Sequence, residues 1–122
     1  MKFRGKRTDN GEWVEGDIHW GKYYRTAHIH PALGSNFSDN IYPDSVSMST
    51  GQKDKNGVEI FGSIPIDGKI SKGGDIVKLK DFTMRVEYKS PQFILRNEYA
   101  GIIGLDYCWN CLEVTGNQYE ED

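Results

Sequence analysis

A glycine–aspartate corner that runs straight into an apolar segment constrains this chain most. Gly73-Gly74-Asp75-Ile76-Val77 opens one extended stretch, and Phe82–Lys89 follows as a second. In the second, Phe82, Met84, Val86 and Tyr88 alternate with Thr83, Arg85 and Glu87. A period of two sends alternate side chains to opposite faces of a strand. The two stretches therefore read as a hairpin, Asp75–Lys80 against Phe82–Lys89. Glycine lets the backbone turn without a Cβ clash, and aspartate caps such a turn through its carboxylate. Upstream, the polar run Ser49-Thr50-Gly51-Gln52-Lys53-Asp54-Lys55-Asn56-Gly57 ends in an Asn-Gly turn that feeds the strand Val58–Phe61. Short strands separated by glycines close on themselves and hide their edges, so these features mark the entry to a small, strongly bent β-barrel.

The flanking sequence extends the β reading. Lys2–Arg7 reads as an opening strand with Phe3 turned inward, and Asp9-Asn10-Gly11 as a turn. Glu12–Trp20 follows, with Val14, Gly16, Ile18 and Trp20 on one face and Glu15, Asp17 and His19 on the other. Tyr23–Ile29 reads as a third strand and Pro31–Asn40 as a loop. Ile41–Ser49 alternates weakly, and within it Asp44-Ser45-Val46 equally suits the opening of a short helical turn. Gly62–Gly73 reads as a glycine-rich excursion protruding from the barrel. Phe93–Arg96, Ala100–Leu105 and Leu112–Val114 complete the strands. Fourteen glycines and only three alanines argue for turns and bulges over helices. At 122 residues the chain reads as one all-β domain, 1–122. Residues 1–50 form its N-terminal β-hairpin layer and 51–119 its barrel-like core.

The net charge of −3 argues against a generally basic nucleic-acid binder. Lys2, Arg4, Lys6 and Arg7 nevertheless form a basic opening, read either as a solvated terminus or as a phosphate-contacting edge. No apolar run reaches the roughly 18 residues needed to span a membrane, and no apolar signal segment follows the first charges. With two cysteines, a reducing cytoplasmic setting is expected.

The same motifs resemble the YopX family of phage and prophage proteins. Lys2-Phe3-Arg4-Gly5 and Trp13-Val14-Glu15-Gly16-Asp17 match its opening. Thr50-Gly51, Lys53-Asp54-Lys55-Asn56-Gly57, Ile60-Phe61 and Gly74-Asp75-Ile76-Val77 match its central signature. Leu112-Glu113-Val114-Thr115-Gly116-Asn117-Gln118-Tyr119-Glu120 echoes its close. Gln52 stands where the family has leucine, Thr115 and Gln118 replace apolar residues, and Gly62–Gly73 is inserted into the signature. The resemblance implies an SH3-like barrel core and phage or prophage origin, hence the host cytoplasm. It implies no established reaction.

Candidate chemistry is sparse. Cys108-Trp109-Asn110-Cys111 is half of a zinc site, and His28-Ile29-His30 could complete it only if the fold joined them. His19 has Glu15 and Asp17 nearby but no nucleophile or substrate pocket implied by sequence. No catalytic residue, cofactor or metal is therefore expected. The aromatics exceed what a small core must hold. Trp13, Trp20, Tyr23 and Tyr24, with Ile64 and Ile66 of the excursion, are the candidate surface for a protein partner or a second copy. Lys2, Arg4, Lys6, Arg7, Lys78, Lys80 and Arg85 are the alternative, a nucleic-acid face. The acidic balance favours a protein-binding, non-enzymatic accessory module.

Overall fold

The computed structural model describes residues 2–20, 27–30, 39–80, 82–90, 92–97, 101–105 and 109–120. The described residues hold strands joined by turns and short 3-10 turns, with no α-helix, so the chain is all-β. β1 (Phe3–Lys6) and β2 (Trp13–Trp20) form the expected first hairpin, which β3 (Ala27–His30) and β4 (Asp39–Ile41) extend. β5 (Ser47–Lys53) lies between β1 and β6 (Glu59–Ser63). β7 (Pro65–Ile66) and β8 (Lys69–Ile70) make a separate ribbon. β9 (Asp75–Leu79), β10 (Phe82–Lys89), β11 (Gln92–Asn97), β12 (Gly101–Gly104) and β13 (Glu113–Asn117) follow. Eleven strands form one sheet in the order β12-β11-β10-β6-β5-β1-β2-β3-β4, with β9 branching from β10 and carrying β13.

That branch explains why the sheet curls into a half-barrel. Along Phe82–Arg85, β10 pairs antiparallel with β9. Farther along, Glu87 pairs in parallel with Ser63 of β6. One strand thus changes partner midway, and Gly73-Gly74 sits in the fork. A Cβ on Gly73 would press into the Ser45 carbonyl, and one on Gly74 into the Val86 carbonyl and the Ser63 amide. The corner needs glycine here because backbone, not a movable side chain, occupies the space.

Two apolar clusters lie on the sheet. Ile60, Val77, Met84, Val86, Leu95, Leu105 and Leu112 form the first. Ile29, Ile41 and Val46 form the second, backed by Phe3, Val14, Ile18, Trp20, Ile64 and Ile66. The expected hairpin of β9 and β10 is present, with Met84 facing Val77. The inner face is shorter than its alternation implies. Phe82, at the hairpin mouth, is exposed, whereas Glu87 on the opposite face is buried against Arg96.

The polar Ser49–Gln52 run belongs to β5, which pairs with β6 across a bulge. Pro43–Ser45 is a 3-10 turn, the helical alternative for that segment. Two expectations change. Asp39–Asn40 belong to β4 rather than to the preceding loop. Gly62–Gly73 is no detachable excursion. Gly62 and Ser63 belong to β6, Ser71 and Gly73 are buried, and Ile64 and Ile66 pack on the second cluster. The end of the β7–β8 ribbon stands clear, with the Asp67-Gly68 turn at positive φ and Lys69 and Ile70 exposed beside it.

Gly74→Ala is expected to destabilise the domain by about 2 kcal/mol or more, because overpacking against backbone has no cheap relief. Gly116→Ala, where an added Cβ meets nothing within 4 Å, should stay within roughly 1 kcal/mol of the parent. Urea unfolding of the two variants checks this.

Candidate binding cleft

Lys2, Arg4 and Lys6 stand at alternate positions, so one face of the opening strand carries all three. Each meets a carboxylate from a different part of the chain. Lys2 Nζ lies 2.7 Å from Glu59 and 3.3 Å from Glu15. Arg4 donates to Asp75 Oδ1 at 2.8 Å and to the Gly73 carbonyl at 2.9 Å. Lys6 Nζ donates to Glu120 at 2.6 Å, and Arg7 pairs with Asp9 at 2.8 Å. The Arg4 guanidinium also lies 4.3 Å from the Phe61 ring centroid and 5.1 Å from that of Trp13. The basic opening, read as a solvated terminus or a phosphate-contacting edge, instead forms ion pairs within the fold. Lys78 and Lys80 are exposed on β9 and its turn, and Arg85 is half-buried on β10.

Among the described residues three carboxylates are buried, and each has structural partners. Asp75 accepts the Phe61 N–H at 2.8 Å as well as Arg4. Burial pushes its carboxyl above the usual carboxylate range, although Arg4 and the Phe61 N–H pull the other way. Glu87 accepts from Arg96 Nε at 2.8 Å. Asp54 Oδ1 accepts the Asn56 and Val58 N–H groups at 2.8 and 2.9 Å, and Oδ2 accepts that of Val114 at 2.9 Å. Burial works against its charged form, but the three backbone donors together outweigh it and hold Asp54 below its ordinary value. The Asp-x-Asn-Gly spacing was the available signal, since an aspartate commonly caps its own turn two residues on.

An open cleft of about 550 Å³ lies where β5 bulges between Ser49 and Lys53. Met48, Tyr88 and Phe93 form its apolar wall. Tyr88 and Phe93 meet edge to face at 5.2 Å between centroids, and Phe93 lies where any Cβ on Gly62 would be. The other wall is polar, made by Lys2, Ser49, Thr50 and Glu59, with Gln92 at the rim. Ser49 Oγ donates to Glu59, and Thr50 Oγ1 donates to the Ile60 carbonyl at 2.8 Å. Gly51, at φ +79°, leaves the floor open. A lining that mixes aromatic and polar side chains suits an apolar side chain carried on a polar backbone. Sequence reasoning passed over this site because Tyr88 and Phe93 read as core residues of separate strands.

Of the candidate partner surface, Trp20, Ile64 and Ile66 are partly buried and pack on the second apolar cluster. Trp13 is half-buried beneath Arg4 and Tyr119. Tyr23, Tyr24 and Cys108 lie outside the described residues, and Cys111 is exposed. By register, His19 faces His28 and Asp17 faces His30. Among the described residues no three His, Cys, Asp or Glu side chains are grouped to hold a metal. Among the same residues no helix is long and apolar enough to cross a membrane.

A family model described as YopX protein matches residues 2–122, nearly the whole chain. No curated protein matches it.

Asp54→Asn would replace one acceptor with an amide facing the Val114 N–H, at a cost of about 1–3 kcal/mol near neutral pH. The carboxyl lies below its ordinary value of 3.8 in the fold. Its stabilisation is thus complete above that value and lost as pH falls through the lowered one. Urea midpoints measured from pH 7 downward should show the gap between parent and variant narrowing only below about pH 4. A constant gap would contradict the assignment.

Proposed function

The chain belongs to the YopX family, and from that premise we propose that it is a non-enzymatic protein-binding module that holds its partner in the cleft between β5, β10 and β11. The cleft carries the proposal: an aromatic wall of Tyr88 and Phe93 stands open beside hydrogen-bonding groups on the bulged strand. Peptide recognition uses such pairs of walls, the apolar one for a side chain and the polar one for the backbone. The engaged state of the buried carboxylates supports the non-enzymatic reading, because Asp54, Asp75 and Glu87 already spend their lone pairs on backbone N–H groups or arginine. The paired cations of the opening strand count against the nucleic-acid alternative. The family resemblance supports phage or prophage origin, an SH3-like core and work in the host cytoplasm.

A photo-crosslinking residue at exposed Gln92 should capture a protein from host lysate regardless of nuclease treatment. Tyr88→Ala should reduce that capture about tenfold, the loss typical of an aromatic anchor. Capture that instead tracks Lys78, Lys80 and Arg85, and disappears with nuclease, would replace this reading with nucleic-acid binding.

A further inference from the structure

A second recognition site is already filled by the chain itself. The Gln118–Glu120 turn folds back on the first hairpin. Glu120 Oε1 accepts from Lys6 Nζ at 2.6 Å and from the Trp13 indole N–H at 3.0 Å. The Tyr119 ring meets Trp13 edge to face at 6.1 Å and stacks on Tyr42 at 6.3 Å. Lys6 Nζ lies 5.9 Å from the Trp13 centroid and 5.7 Å from that of Tyr119. One lysine thus serves a carboxylate and two aromatic faces together.

We propose that Lys6, Trp13 and Tyr42 form a docking site for a partner segment bearing an aromatic residue followed by a carboxylate, and that Tyr119-Glu120 occupies it as an internal competitor. The proposal rests on the protein-binding reading and names the partner's chemistry at residues that do not line the cleft. The occupant defines the specificity. The indole N–H and the ammonium converge on one carboxylate oxygen, and the Trp13 and Tyr42 rings frame one aromatic ring. The end of the turn is suited to leave. Tyr119 is half-buried and Glu120 exposed, while Gln118 stays held by its N–H on the Gly74 carbonyl at 2.9 Å. Short exposed segments with few buried contacts open at the low end of the stability range. The strand behind it is anchored independently, since the Asn117 amide donates to the Gly73 carbonyl at 2.7 Å.

The full chain carrying Tyr119→Ala and Glu120→Ala tests this against a synthetic peptide, Gly-Asn-Gln-Tyr-Glu-Glu-Asp, copied from residues 116–122. A tethered occupant competes at about millimolar effective concentration, so emptying the site should tighten peptide binding at least about tenfold over the parent. Binding should shift the Trp13 indole N–H resonance. It should fail when Lys6→Glu is added, or when the peptide's Tyr-Glu becomes Ala-Ala. Equal affinity for parent and variant, indifference to Lys6→Glu, or unfolding of the double variant would each overturn the proposal, because the site must persist with the turn displaced. None of these outcomes touches Tyr88 or Gln92, so the cleft reading is judged separately.

Discussion

The ion pair between Arg4 and Asp75 organises the rest of the molecule. Asp75 is 2% exposed, and its partner comes from the far end of the chain in sequence. The same carboxylate accepts the Phe61 N–H, and the same guanidinium holds the Gly73 carbonyl. Four segments therefore meet at one charge: β1, β6, the glycine corner and β9. Burial raises the Asp75 carboxyl despite Arg4, so desolvation outweighs the attraction. A pair of this kind adds little net stability when intact. Its weight lies in the penalty for any arrangement that buries one partner alone. In this fold that penalty acts on register, because shifting β1 by one residue would turn Arg4 to the opposite face.

Around the pair, the seam between the two apolar clusters is built from small polar residues. Ser71 Oγ donates to the Val46 carbonyl and accepts the Ile64 N–H. Ser63 Oγ accepts the Gly74 N–H, and Ser45 Oγ accepts that of Lys6. These hydroxyls satisfy backbone groups that the fork in the sheet leaves unpaired, which is what burial of irregular backbone requires. The insertion that supplies Ser71 and Gly73 is for this reason part of the frame, and only its tip is free to vary. The open cleft lies beyond this frame, where the bulge in β5 turns Thr50 and Gly51 away from regular pairing.

The strands with clear alternation were legible from sequence. β2 shows intermediate burial at Val14, Ile18 and Trp20 and exposure at Glu15, Asp17 and His19, as its period requires. The pairing of β9 with β10 was legible too, through Met84 and Val86, although Asp75, Ile76 and Val77 are all buried without alternation. β5 was not legible, because Ser47 through Lys53 is polar and carries a glycine, and its pairing depends on a neighbour rather than on propensity. The cation set was misread for a related reason. Lys2, Arg4 and Lys6 look like a solvated cluster until their partners Glu59, Asp75 and Glu120 arrive from as much as 114 residues away. Local sequence holds no record of such pairings. The cleft was hidden by the same distance, since its walls come from β5, β10 and β11.

The most direct measurement is the stability of Arg4→Met against pH. Removing the arginine leaves Asp75 buried without its cation, a defect of about 3–5 kcal/mol near neutral pH. Without Arg4 the Asp75 carboxyl should rise further, so its favourable contribution is present at low pH and lost as pH rises through the raised value. Urea unfolding should therefore show a large deficit relative to the parent at pH 7 that shrinks toward pH 4.5. A variant that unfolds with the parent at pH 7, or whose deficit is the same at both pH values, would contradict the central role of this pair.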